Sequence, residues 1–101
     1  MSSVPQQYEV FRSRNGVLVV VIESNLLTVG TTRVVMPIVP ASGRIAVRHL
    51  NPKVDIGGGK FMLSPQQIAT VAVVELSEPL GTLAHERDRI TRALDTLLSG
   101  V

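Results

Sequence analysis

Leu83, Ile90, Leu94, Leu97, Leu98 and Val101 fall at offsets 0, 7, 11, 14, 15 and 18 within the last nineteen residues. That is one stripe at a period near 3.6, with Glu86, Arg87, Arg89 and Arg92 on the other faces. The spacing predicts an amphipathic helix over 83–101. Thr82 is its expected N-cap, because a threonine hydroxyl accepts from a free amide of the first turn. Such a helix must lay its stripe on its own core, on a second copy, or on another protein. Leu97, Leu98 and Val101 lie in the last turn, where a chain of 101 residues has little left to cover them. Chain ends fray unless something holds them. The reading favours a self-complementary interface between two copies at that end.

Short β-rich runs precede the helix. Residues 8–12 and 17–22 flank Asn15-Gly16, a strong hairpin signal because both residues tolerate positive φ. The run 17–22 is apolar without a break, so both of its faces are expected to be covered. Residues 33–40 form a third strand, with Pro37 placing it at an edge or a bend. Residues 53–56 and 60–63 form a second hairpin around Gly57-Gly58-Gly59. Residues 64–68 are a short turn, and 70–76 are the last strand before a linker over 77–81. Five or six short strands followed by one helix predict a mainly β fold, a small bent sheet or partly open barrel closed by the helix. The length fits one domain.

Composition narrows the function. Aromatics make up 3% of the chain, so few platforms exist for stacking bases or sugars. Ten Lys/Arg against eight Asp/Glu leave a formal charge of +2, too mild for a purely charge-driven role on nucleic acid or membrane. Without cysteine the chain has no disulfide, thiol or zinc-finger chemistry, which fits a reducing cytoplasm. The opening residues lack the pattern of a signal peptide. No apolar run is long enough to cross a bilayer.

Candidate chemistry is sparse. Gly57-Gly58-Gly59-Lys60 lacks the following Ser/Thr and helix of a phosphate loop and reads as a hairpin turn. His49 and His85 have no metal-ligand partners at suitable spacing, so neither a metal nor a cofactor is expected. The serines lie in turns rather than at a nucleophile elbow. Arg33, Thr31, His49 and Arg48 hold the residue types for acid–base cleavage of RNA, with surface loop positions as the plainer reading.

Several segments together resemble the CcdB family, the toxins of ccd plasmid-maintenance toxin–antitoxin modules. They are Ser24-Asn25-Leu26-Leu27, Arg33-Val34-Val35-Met36-Pro37-Ile38, Leu50-Asn51-Pro52-Lys53-Val54-Asp55-Ile56, residues 62–68, Leu83-x-His85 with Ile90 and Ala93, and the closing Gly100-Val101. The resemblance implies an SH3-like small barrel with a C-terminal helix, working as a cytoplasmic homodimer. It implies a protein without enzymatic activity that binds the A subunit of DNA gyrase and traps gyrase on cleaved DNA. It implies a cognate CcdA-like antitoxin, with DNA met only through the antitoxin complex that regulates its own transcription. Carried over by position, the gyrase contacts are Leu26, Leu27, Asp95, Ser99, Gly100 and Val101. The antitoxin contacts are Tyr8, Arg12, Arg14, Glu23, Ser24 and Asn25. The dimer interface comprises Leu94, Leu97, Leu98 and Val101.

The chain departs from the family's best-known members, which carry Trp where Ser99 stands and Asn where Asp95 stands. Loss of an aromatic anchor costs about 2 kcal/mol or more, roughly a 25-fold drop in affinity. Two alternatives follow: a diverged protein that binds antitoxin without poisoning gyrase, and an RNA endonuclease of the same fold.

Overall fold

The computed structural model describes residues 4–27 and 30–100. Among these residues seven strands precede one α-helix: β1 (Glu9–Arg12), β2 (Leu18–Val21), β3 (Thr32–Pro40), β4 (Lys53–Ile56), β5 (Gly59–Leu63), β6 (Ala69–Ala72), β7 (Gly81–Thr82) and α1 (Arg87–Ser99). They form one antiparallel sheet in the order β4-β5-β3-β2-β1-β7, with β6 also paired to β3. The result is a half-barrel with a C-terminal helix, the mainly β fold expected from the pattern.

β3 organises the sheet. Its residues 38–40 pair with β5 and its residues 32–35 pair with β6, while β2 lies along its other side. Pro37 sits where the partner changes. Its carbonyl accepts from Ser64 N at 3.0 Å. The amide hydrogen it lacks would point to the same side, into the break between β5 and β6. Proline is therefore admitted inside the sheet, at a handover rather than at an outer edge.

The two hairpins turn differently. Gly57 and Gly58 link β4 to β5 with φ of 56° and 82°, and a two-residue turn with both φ positive selects glycine twice. The first hairpin is wider than its Asn-Gly suggests. Ser13 N donates to Val17 O and Gly16 N to Ser13 O, leaving a three-residue loop in which Gly16 alone takes positive φ, 88°. Asn15 contributes through its side chain, which accepts from Val17 N and from the Ser13 hydroxyl.

All four β2 residues are buried. Leu18 and Val20 join Val10, Met36, Ile38, Val54 and Leu63 on the face that Leu83 and Ile90 cover. Val19 and Val21 join Phe11 and Val35 on the opposite face, under Val71 and Leu76. The unbroken apolar run is thus explained by cover on both sides. The expected last strand is shorter than 70–76, because Val73–Glu75 winds into a 3-10 turn that carries Leu76 over this second face.

The helix also differs from its sequence pattern. Leu83 is buried but lies outside it. Thr82 Oγ1 accepts from Ala84 N at 3.1 Å and so starts a 3-10 turn, Ala84–Glu86, before α1 begins at Arg87. Ile90 and Ala93 are the buried residues of α1, and Leu94 packs half-buried against the same cluster. Exchanging Ile90 for alanine should destabilise the fold by about 2–5 kcal/mol, measured by urea unfolding.

Candidate functional site

The residues expected to meet partners fall on separate parts of the surface. Leu26 is 91% exposed and Leu27 66%, on a 3-10 turn, Asn25–Leu27, between β2 and β3. Asn25 Oδ1 accepts from Gln7 N and Ser24 Oγ from Leu26 N, fixing that turn to the lead-in of β1. Glu23 Oε1 accepts from Val34 N at 3.1 Å. Tyr8 takes φ 71°, and its backbone joins Val21 to Leu83 while the side chain packs half-buried on the core. Arg12 closes its own hairpin by donating to Gly16 O, and Arg14 lines an open apolar groove of about 630 Å³ with Val17, Val35 and Val39.

At the other end of α1, Leu98 is 83% exposed and Leu97 38%. Asp95 is exposed, and its carbonyl accepts from the Ser99 hydroxyl at 2.6 Å. Gly100 ends the helix at φ 76°, with its amide donating to Thr96 O. Val101, expected at both the gyrase and the dimer contacts, lies outside the described residues.

A second region combines residues that are distant in sequence. Loop 46–53 closes against α1 and encloses a cleft of about 280 Å³. Asn51, 6% exposed, shapes the loop. Its Oδ1 accepts from Val47 N, and its Nδ2 donates to Leu63 O and Gln66 Oε1, each at 3.0 Å. Leu50 N and Asn51 N both donate to Val47 O, which drives His49 to φ 66°. A side chain in that region is disfavoured by roughly 1–2 kcal/mol, so the buried asparagine is what holds it there.

His49 Nε2 lies 3.3 Å from Arg92 Nη2. A guanidinium only donates, so Nε2 accepts and the imidazole proton resides on Nδ1. Loss of solvation comes first, and then the positive charges of Arg92 and Arg48, in lowering the His49 pKa below its ordinary 6.5. The ring stays open to solvent. Arg89 anchors the loop from the helix side, donating to Lys53 O at 2.9 Å and pairing with Glu86 at 2.8 Å. The cleft thus gathers Arg48, His49, Lys53, Arg89 and Arg92.

Of the four residues with RNA-cleaving chemistry, only Arg48 and His49 reach this cleft. Arg33 is 1% exposed and donates to the carbonyls of Pro5, Gly30 and Thr32, so it ties the lead-in to the β2–β3 connection. Thr31 is exposed, and its carbonyl accepts from Val73 N. Lys53, Arg89 and Arg92 were missed as site residues. Arg89 and Arg92 share a helix face at i, i+3, but nothing in the sequence pairs that face with the loop. Among the described residues no cluster of His, Cys, Asp and Glu is placed to hold a metal, and no helix is long and apolar enough to cross a membrane.

The sequence matches the family described as CcdB protein over residues 7–100. The chain belongs to the CcdB family. No curated protein matches it by sequence. A solved structure described as an endoribonuclease from a mycobacterial species shares the fold, with a TM-score of 0.74, 19% identity, and coverage of 97% of this chain and 94% of that one. This overturns the expectation of a protein without enzymatic activity. A near-complete structural counterpart is an enzyme by its description, so neither the family fold nor the lack of a familiar nucleophile argues against catalysis here.

Two outcomes test the loop. Asn51→Ala should lower stability by about 1–3 kcal/mol in urea unfolding, because the Leu63 carbonyl and Val47 amide lose buried partners. The His49 shift also has a sign. The folded state binds its proton less readily than the unfolded chain, so stability should fall as pH drops from 6.5 through the lowered folded pKa. Unfolding of His49→Gln should lack that component, seen as the difference between the two pH profiles.

Proposed function

We propose that this chain is the toxin of a toxin–antitoxin module and that it reaches its target through the exposed Leu26-Leu27 turn between β2 and β3 and the C-terminal end of α1. Membership of the CcdB family supports the toxin role. The observation that carries the docking surface is the exposure of Leu26 and Leu27, 91% and 66%, at adjacent positions of one turn. In this reading Leu94, Leu97 and Leu98 bring two copies together. Leu26, Leu27, Asp95, Ser99 and Gly100 then face the A subunit of DNA gyrase. The antitoxin engages Tyr8, Arg12, Arg14 and residues 23–25, with Arg14 at the mouth of the larger groove.

The second reading is RNA cleavage. The description of the mycobacterial structure and the neutral imidazole of His49 beside Arg48 and Arg92 favour it. Purified protein would then shorten RNA, and His49→Gln would slow it.

Induction in a gyrase-sensitive host separates the two. Leu26→Asp with Leu27→Asp should leave folding intact, since both positions are exposed and outside the two core clusters, and should weaken target binding at least about 25-fold. Growth arrest and trapped gyrase–DNA complexes should disappear together. Arrest unchanged by the double substitution contradicts the docking surface.

A further inference from the structure

We propose that the cleft between loop 46–53 and α1 is a binding site for the phosphodiester backbone of a polynucleotide strand, gripped by Arg48, Lys53 and Arg92 with His49 between them. The inference concerns a surface apart from the leucine docking region and requires no cleavage step.

Four observations support it. The first is one-sided charge in a concave place. Five basic side chains line about 280 Å³, and no carboxylate lines it. Arg89 is partly neutralised by Glu86, but Arg48, Lys53 and Arg92 have no carboxylate at ion-pair distance among the described residues. Such cations within one cleft repel one another until an anion enters.

The second is the Arg92–His49 contact. With no acid to hold it, the Arg92 guanidinium rests on an imidazole nitrogen. An anion is a stronger acceptor than a neutral imidazole, so a phosphate oxygen would replace that contact and form charge-assisted hydrogen bonds. The third is the constrained conformation of His49. The turn holds it at φ 66° through a buried asparagine, which presents Arg48 and His49 outward on a rigid support. Strained positions held by their surroundings mark functional sites more often than chance.

The fourth selects the ligand class. The remaining lining is Ala46, Val47, Asn51 and Pro52, with no aromatic residue. Base recognition relies on stacking faces; Phe, Tyr and Trp are missing from the lining and the His49 ring is engaged by Arg92, whereas phosphate and sugar need only cations and small apolar contacts. A backbone is therefore favoured over a free base or nucleoside. RNA and DNA strands share this chemistry.

The test is fluorescence anisotropy with a labelled 12-nucleotide single strand, as RNA and as DNA, at low salt. Three free cations predict a log–log salt slope of about −2 for a single strand. Arg48→Gln and Arg92→Gln should each weaken binding roughly tenfold. Arg87→Gln removes the same charge from the helix outside the cleft and should leave binding within about twofold. In parallel, the His49 ring resonance should titrate at higher pH once the strand is bound, because an anion offsets Arg92 and Arg48. Matching thermal unfolding of the three variants excludes loss of fold as the cause.

Unequal affinity of the two strands identifies which one the site prefers and supports the proposal. Inorganic phosphate that competes only at far higher concentration also supports it, as a backbone site requires. Absence of binding at low salt overturns the proposal, and so does equal weakening by Arg87→Gln. Displacement of the strand by equimolar polyglutamate overturns it in favour of an acidic protein partner. None of these outcomes depends on the growth-arrest experiment, so failure of the gyrase reading leaves this test interpretable.

Discussion

The seating of α1 by Ile90 and Ala93 on the inner sheet face is the contact on which the rest depends. Both side chains are essentially buried, at 1% and 0% exposure, and they fix the rotation of the helix about its axis. Once that rotation is set, everything else on α1 has a place. Arg89 and Arg92 meet loop 46–53. Leu97 and Leu98 are carried past the rim of the core, where the chain offers them little cover. A helix turned by one residue, about 100°, would exchange these roles.

The sheet makes that seat possible by being apolar on both sides. β2 contributes alternately to two clusters, one under α1 and the other under residues 71 and 76. Two layers of cover from a short chain demand economy in the connections. β3 therefore serves three strands, and the switch from β5 to β6 accommodates Pro37 without an unsatisfied donor. Arg33 has a comparable structural role. Its guanidinium spends its donors on three backbone carbonyls of two segments rather than on a substrate.

Much of this was legible in the sequence. The apolar run of β2, the Gly57-Gly58 turn and the helical stripe each announce a local geometry, and their order announces the half-barrel. The start of α1 was misplaced because Leu83 continues the apolar pattern in sequence while Thr82 opens a 3-10 turn instead of the helix. The cleft was the least legible element. Its parts lie some forty positions apart, and only the packing of α1 on the sheet brings His49 to Arg92. Arg33 misled for the opposite reason, since an arginine in a strand carries no mark of being buried. The expectation of a protein without enzymatic activity came from the family resemblance and failed because the same fold is shared with a described endoribonuclease.

Native-state hydrogen exchange tests the central claim directly. The account predicts that the amides of residues 94–97, which bond back to residues 90–93 within α1, exchange only through the same global opening as the β2 amides at Val20 and Val21. Exchange of those helix amides by orders of magnitude faster, with β2 still protected, would show a helix that leaves the sheet while the rest stays folded. That result would contradict an α1 locked in place and holding both the cleft and the leucine surface.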